Sequence, residues 1–221
     1  MKDYSAPEGH ILLVDKPLEW TSFDVVKKLK FALRLKKVGH AGTLDPLASG
    51  LLIICTGKKT REIQHFQALP KEYTGTLVLG QTTPSYDLET EPGPAVDISH
   101  LTQEAIEQAA SHFTGRIEQT PPLYSAIKVD GRRAYHHARA GDKVALKSRP
   151  VEIHSFTITR IALPEVDFHV KCSKGTYIRS LVHDFGQHLG VGAYLAALRR
   201  TAIGPYRVED AQTIAELTSK K

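Results

Sequence analysis

The sequence predicts an α+β fold. Strand-like runs are mixed with irregularly placed helical patterns rather than alternating with them, and from residue 115 onward strand patterns dominate. With 221 residues, 41% hydrophobic and 24% charged, the chain can bury one large core or two subdomains sharing one.

Taken in order, HILLVDKP (residues 10–17) reads as a strand ending in a proline turn. A helix over residues 22–33 follows, with Phe23, Val26, Leu29 and Leu33 on one face. LLIICTG is a buried strand, KKTREIQHFQAL is helical, and KEYTGTLVLGQTT alternates Tyr73, Gly75, Leu77 and Leu79 as a half-buried strand does. A loop rich in Pro and acid leads from residue 83 to a helix over residues 102–113. Strands are expected at RIEQ, LYSAIKVDG with its Asp130-Gly131 turn signal, VEIHSFTITRIAL and VDFHVKCS. A helix over residues 176–189 places Ile178, Leu181, Val182, Phe185 and Leu189 at helical spacing and stops at Gly190. AYLAALRRTAIG is a further buried segment, and a short amphipathic helix ends the chain.

The N-terminus is polar and the apolar runs have strand length, so neither a signal peptide nor a membrane span is expected and a cytoplasmic protein is. Cys55 and Cys172 lie in apolar strand-like runs and read as buried thiols rather than as a disulfide, metal or redox pair. The net charge of +5 is unevenly spread. Residues 121–150 carry seven cations (Lys128, Arg132, Arg133, Arg139, Lys143, Lys147, Arg149) against Asp130 and Asp142, which accounts for all of it. A second cationic run, Lys27, Lys28, Lys30, Arg34, Lys36 and Lys37, contains no acid. One such run is ordinarily a solvated face; two, with Tyr124, Tyr135, His136 and His137 interleaved, suit a polyanion that offers bases to stack upon.

The most informative stretch is GHAGTLDPLASG, residues 39–50, which sets Asp45 in a loop among three glycines ahead of an apolar strand. Asp followed by Pro can equally start a helix, with Asp45 as cap and Pro46 in the first turn. Motifs for other chemistries fail. CTGKKT imitates the end of a phosphate loop, but Leu52 stands where its first glycine belongs, and neither CxxC nor HExxH occurs. What remains is a cofactor-free site built on a carboxylate.

GHAGTLDPLASGLLIICTG resembles the active-site motif of the TruB family of pseudouridine synthases. Four further blocks match in the family's order: HILLVDKP, KEYTGTLVLGQTT, PPLYSAIKVDGRRAYHHARAG and CSKGTYIRSLVHDFG. The resemblance implies a pseudouridine synthase fold, a central mixed, largely antiparallel sheet decorated by helices, with a basic insertion at about residues 121–150 that grips RNA. It implies one catalytic domain over residues 1–221, without the small C-terminal PUA domain of many relatives, so that RNA contact rests on that domain alone. It also implies isomerisation of a uridine in the T-arm loop of tRNA, position 55, with no metal or organic cofactor and no obligate protein partner.

Residue by residue, the resemblance makes Asp45 the catalytic carboxylate and Arg179 the guanidinium that keeps it ionised. Tyr73 and Tyr177 flank the target base, Tyr73 also serving in proton removal. His40 helps displace the base, Leu198 lines the pocket, and Asp87 borders it in surroundings that depart from the family pattern. Lys16, Lys128, Arg132, Arg133, Arg139 and Lys143 are the RNA-contact candidates, Lys16 with a structural role as its alternative. Two other readings stay open: a synthase acting on another RNA, and an RNA-folding factor that works by binding.

Overall fold

The structure is a computed structural model that describes residues 4, 6–125, 127–129, 131–142 and 144–219. The chain divides into two compact units, residues 1–74 with 198–221, and residues 75–197.

The first unit opens with β1 (Ile11–Lys16), α1 (Ser22–Ala32), β2 (Val38–His40) and β3 (Ala48–Thr56). A 3-10 turn over Gly57–Glu62 and α2 (Ile63–Ala68) then lead into β4 (Lys71–Leu79), along which the chain leaves the unit. The helix expected over KKTREIQHFQAL is therefore α-helical only in its second half. α1 begins at a complete capping box, Thr21 accepting from Asp24 N while the Asp24 carboxylate accepts from Thr21 N. It buries Ser22, Val25, Val26 and Leu29, which turns Phe23 outward at 67% exposure, against the face expected for it. Leu33 packs against the core as expected.

β3 explains the unbroken apolar run LLIIC. Leu52 and Ile54 pack with α1 and with Leu12 and Val14 of β1, whereas Leu51, Ile53 and Cys55 pack on the opposite face with Phe66 and Ile203. A strand covered on both faces needs apolar residues at every position. Both cysteines are buried, and burial pushes the Cys55 thiol up to about 11.

The second unit takes up β4 at Gly75 and continues through α3 (Gln103–His112), β5 (Gly115–Gln119), β6 (Lys128–Val129), β7 (Arg132–Arg133) and α4 (Ala134–Ala140). β8 (Arg149–Ala162), β9 (Glu165–Cys172), α5 (Ile178–His188) and the first half of β10 (Ala193–Ile203) complete it. β8 pairs antiparallel with both β5 and β9, in the order β4-β9-β8-β5. Phe156, Phe168 and Phe185 pack edge to face between this sheet and α5, with centroids 5.5 and 5.6 Å apart. Of the strand expected over LYSAIKVDG, the described residues show β6, which pairs with β7 in a two-stranded hairpin, and bends at Leu123 to Ser125; residue 126 and Asp130 of the expected turn fall outside the described residues.

β10 re-enters the first unit, which ends with β11 (Tyr206–Arg207), β12 (Gln212–Thr213) and α6 (Ile214–Thr218). Its strand order is β12-β1-β3-β10, with β2 also on β3 and β11 on β10. The β1-β12 and β3-β10 pairs are parallel and the others antiparallel, so this part of the sheet is mixed.

Candidate active site

Asp45 does not cap a helix. Its carbonyl accepts from Ala48 N at 3.0 Å, so Asp45-Pro46-Leu47-Ala48 is a β-turn with proline at its second position, delivering the chain into β3. The carboxylate is left on a half-buried residue at the strand's mouth. Three side chains of the first unit fix this loop from below.

Ser22, the first residue of α1, exchanges two hydrogen bonds with Leu44: Leu44 N donates to Ser22 Oγ at 2.9 Å, and Ser22 Oγ donates to Leu44 O at 3.2 Å. Arg200, only 1% exposed, donates from Nε to Leu51 O at 2.7 Å and from its two terminal nitrogens to Gly42 O (3.2 Å) and Thr43 O (3.4 Å). Gly50 is required here: it sits at φ +102° and a Cβ would lie 2.3 Å from Arg200 O. Lys16, fully buried, donates to Pro17 O (2.8 Å), Trp20 O (2.6 Å) and Pro46 O (3.5 Å). Burial lowers its pKa to about 8, while the neighbouring Asp45 carboxylate favours the charged form. Lys16 thus braces the Asp45 loop, and its burial removes it from the RNA-contact candidates.

His40 ends β2, opposite Ile54. Burial holds its imidazole below the usual value, partly offset by the Gly42 backbone, so the ring is neutral at neutral pH. Its buried Nδ1 has no hydrogen-bond partner among the described residues. Leu198 pairs in parallel register with Ala48, three residues beyond Asp45, and is half-buried. Tyr73 is 8% exposed on β4. Asp45, His40, Leu198 and Tyr73 therefore all belong to the first unit.

Arg179, Tyr177 and Asp87 belong to the second. The N-terminus of α5 lacks a side-chain cap of its own; instead buried Gln119, at the end of β5, clamps Tyr177 by accepting from its N (2.7 Å) and donating to its O (3.0 Å). Ser180 Oγ adds a bond to Thr120 O at 2.7 Å. Arg179 is thereby held 4% exposed, donating to Tyr124 O (2.9 Å) and Ser85 O (3.2 Å), with its Nε 3.6 Å from Asp87 Oδ2. Asp87 in turn is fixed by Glu89 N on Oδ1 at 3.0 Å, and its carbonyl accepts from Thr83 and Ser85 hydroxyls. The sequence gives no sign of this pairing, because residues 87 and 179 meet only through tertiary structure. The Tyr177 ring carries the Arg149 guanidinium 5.1 Å from its centroid.

Beside this group Tyr86, in the left-handed region at φ 66°, stacks on His183 with centroids 3.8 Å apart. The next residue, Asp184, is pushed by burial up to about 6. Between about pH 4 and 6 the folded protein keeps a proton here that the unfolded chain sheds, so ionisation of Asp184 costs stability as pH rises through that window. Asp184→Asn is expected to stabilise the protein by about 1–2 kcal/mol at pH 7 and not at pH 3.5, as read from urea melts at the two pH values.

Of the basic insertion, Arg132, Arg133 and Arg139 are exposed, and Lys128 stands across the hairpin from Arg133. Arg139 pairs with Glu89 at 2.8 Å and lies over the Tyr135 ring. Lys143 falls outside the described residues. No cluster of metal-ligating side chains occurs among the described residues, and none of their helices is long and apolar enough to cross a membrane.

Two family models account for most of the chain: "TruB family pseudouridylate synthase (N terminal domain)" over residues 30–178 and "tRNA pseudouridylate synthase B C-terminal domain" over residues 179–221. The tRNA pseudouridine synthase B of Flavobacterium johnsoniae is 56% identical over 211 residues, covering 92% of either chain. That of Chloroherpeton thalassium is 50% identical over 219 residues, 97% of this chain and 91% of the relative. Among solved structures, a Cbf5-Nop10-Gar1 complex matches with a TM-score of 0.74 and 34% identity over 94% of this chain, which spans 53% of the matched one. An H/ACA RNP bound to a substrate RNA containing 2'-deoxyuridine matches with a TM-score of 0.71 and 29% identity, over 99% of this chain and 58% of the other.

Proposed function

Since the chain belongs to the TruB family of pseudouridylate synthases and is a tRNA pseudouridine synthase, an isomerase, we propose that its target is the uridine at position 55 in the T-arm loop and that Asp45 carries the chemistry. The observation behind the second part is the loop itself. A half-buried carboxylate is presented from a β-turn whose backbone is fixed by Ser22, Lys16 and Arg200. Prior fixing of this kind is what a reaction that depends on placing a charge requires.

The isomerisation breaks the bond between ribose C1′ and uracil N1, turns the base, joins C1′ to C5, and removes the proton from C5. Cleavage leaves the bonding electrons on N1 and C1′ electron-deficient; Asp45 attacks C1′ as nucleophile, C5 of the turned base then displaces the carboxylate as the C1′–C5 bond forms, and N1 takes up a proton as C5 gives one up. Tyr73 is the candidate for removing the C5 proton. Tyr177 and Leu198 supply faces for a base turned out of its stack, and His40, neutral with an open Nδ1, helps displace it. Arg179 is the counter-charge that the family resemblance assigns to Asp45, with Asp87 fixing its guanidinium in the second unit. Asp45, Tyr73, His40 and Leu198 belong to the first unit, and Arg179, Tyr177 and Asp87 to the second. No cofactor takes part on this reading, and the cytoplasm is where its substrate is met.

T-arm specificity is tested with isolated stem-loops. The T-arm stem-loop alone should be isomerised and an anticodon stem-loop should not; equal turnover of the two would refute it. The insertion is the proposed grip on the RNA backbone. Arg132, Arg133 and Arg139 replaced together by Gln should weaken tRNA binding and flatten its salt dependence by about 0.7 in log-log slope per lost single-strand phosphate contact. An unchanged slope in a salt titration would place the grip elsewhere.

A further inference from the structure

The outward face of α1 carries two aromatic side chains that the core does not use. Phe31 is 87% exposed and Phe23 67%, whereas a stray exposed phenylalanine is ordinary and two on one face of an 11-residue helix are not. Phe23, Lys27 and Phe31 follow at intervals of four residues, so a lysine stands between the two rings along one stripe. Beside the stripe lies a hollow of about 430 Å³ lined by Glu19, Trp20, Asp24, Lys27, Lys28 and Phe31. Of its two acids, Asp24 is engaged by Thr21 in the capping box. Lys30, Arg34, Lys36 and Lys37, all exposed, extend the cationic character beyond the helix.

This face is joined to the Asp45 loop by direct bonds within the first unit. Glu19 N donates to Pro46 O at 2.8 Å, Lys16 ties Trp20 O to Pro46 O, and Ser22 holds Leu44. A polyanion seated at Asp45 therefore has a lysine-rich, aromatic surface beginning within a few residues of the catalytic turn. Rings alternating with lysines suit unpaired nucleotides, whose bases stack on the rings while phosphates meet the ammonium groups. An acidic peptide would use the lysines but has no need of rings left this open.

We infer that the Phe23-Lys27-Phe31 face of α1 and the Trp20 hollow form a second RNA-contact surface, which receives unpaired nucleotides of the same tRNA whose uridine is at Asp45. The inference rests on the tRNA reading given above. Trp20 is the chain's single tryptophan, half-buried against the core and lining this hollow, so tryptophan emission reads this edge of α1.

The test titrates an unmodified tRNA transcript into the full chain, following Trp20 fluorescence and Kd, and measures turnover in parallel. Binding should change Trp20 emission. Phe31→Ala should raise Kd at least about fivefold with an unaltered salt slope, and the Lys27→Gln, Lys28→Gln double variant should raise Kd and flatten the slope; kcat should hold in both. Should the wild-type chain bind and isomerise tRNA while Trp20 emission and the Phe31→Ala Kd stay unchanged, the inference fails and a protein partner becomes the occupant to seek. If the wild-type chain neither binds nor isomerises tRNA, the functional reading fails and this one with it.

Discussion

Asp45→Asn is expected to lower isomerisation by at least about 10³-fold, roughly 4 kcal/mol of barrier, while leaving tRNA affinity within about twofold. Asn keeps the size of the side chain, and the turn that places it is closed by the Asp45 carbonyl accepting from Ala48 N, a backbone bond the substitution leaves in place. What is lost is the charge, and with it the group proposed to meet the electron-deficient C1′. Single-turnover assays with unmodified tRNA, paired with filter binding, separate the two quantities. Substantial turnover by the variant would remove Asp45 from the mechanism.

The second large effect is expected from Arg200→Ala, which should cost about 3–5 kcal/mol of stability and slow any remaining folded enzyme about 10²-fold. Its guanidinium is buried and satisfies the carbonyls of Gly42, Thr43 and Leu51, so its removal opens a cavity and orphans acceptors on either side of the Asp45 turn. Arg200→Lys should recover part of the stability but little of the rate, because one ammonium cannot reach three carbonyls spread around a planar fork. Urea melts give the first quantity and single-turnover rates the second. A variant as active and stable as the parent would mean that the loop holds its shape without the clamp.

The contrast between Asp45 and Arg200 shows what the sequence makes legible. Asp45 stands out because glycines, a proline turn and an apolar strand surround it locally, and each leaves a composition signal. Arg200 looks like one of two adjacent surface arginines until β10 folds beside β3 and carries it under the loop. The same holds for Asp87 with Arg179 and for Gln119 with Tyr177, pairings across 92 and 58 residues that no periodicity encodes. Lys16 was open to an RNA role only because burial is a tertiary fact; three backbone carbonyls around its ammonium show a brace.

For the fold, strands and long helices were legible from hydrophobic spacing, and β3 above all, since burial on both faces leaves an unbroken apolar run. The parallel pairings of β1 with β12 and of β3 with β10 were not, because strand partners are chosen by topology. Phe23 broke the helical pattern of α1 by facing outward, a departure of the sort expected where a surface is kept for a ligand.

The most direct test of the central claim is to incubate the purified chain with an unmodified tRNA transcript, without metal or added cofactor, and to map pseudouridine along the product. The account predicts pseudouridine at one position, the T-arm loop uridine, formed over many turnovers. A transcript that is bound yet carries no pseudouridine would contradict it.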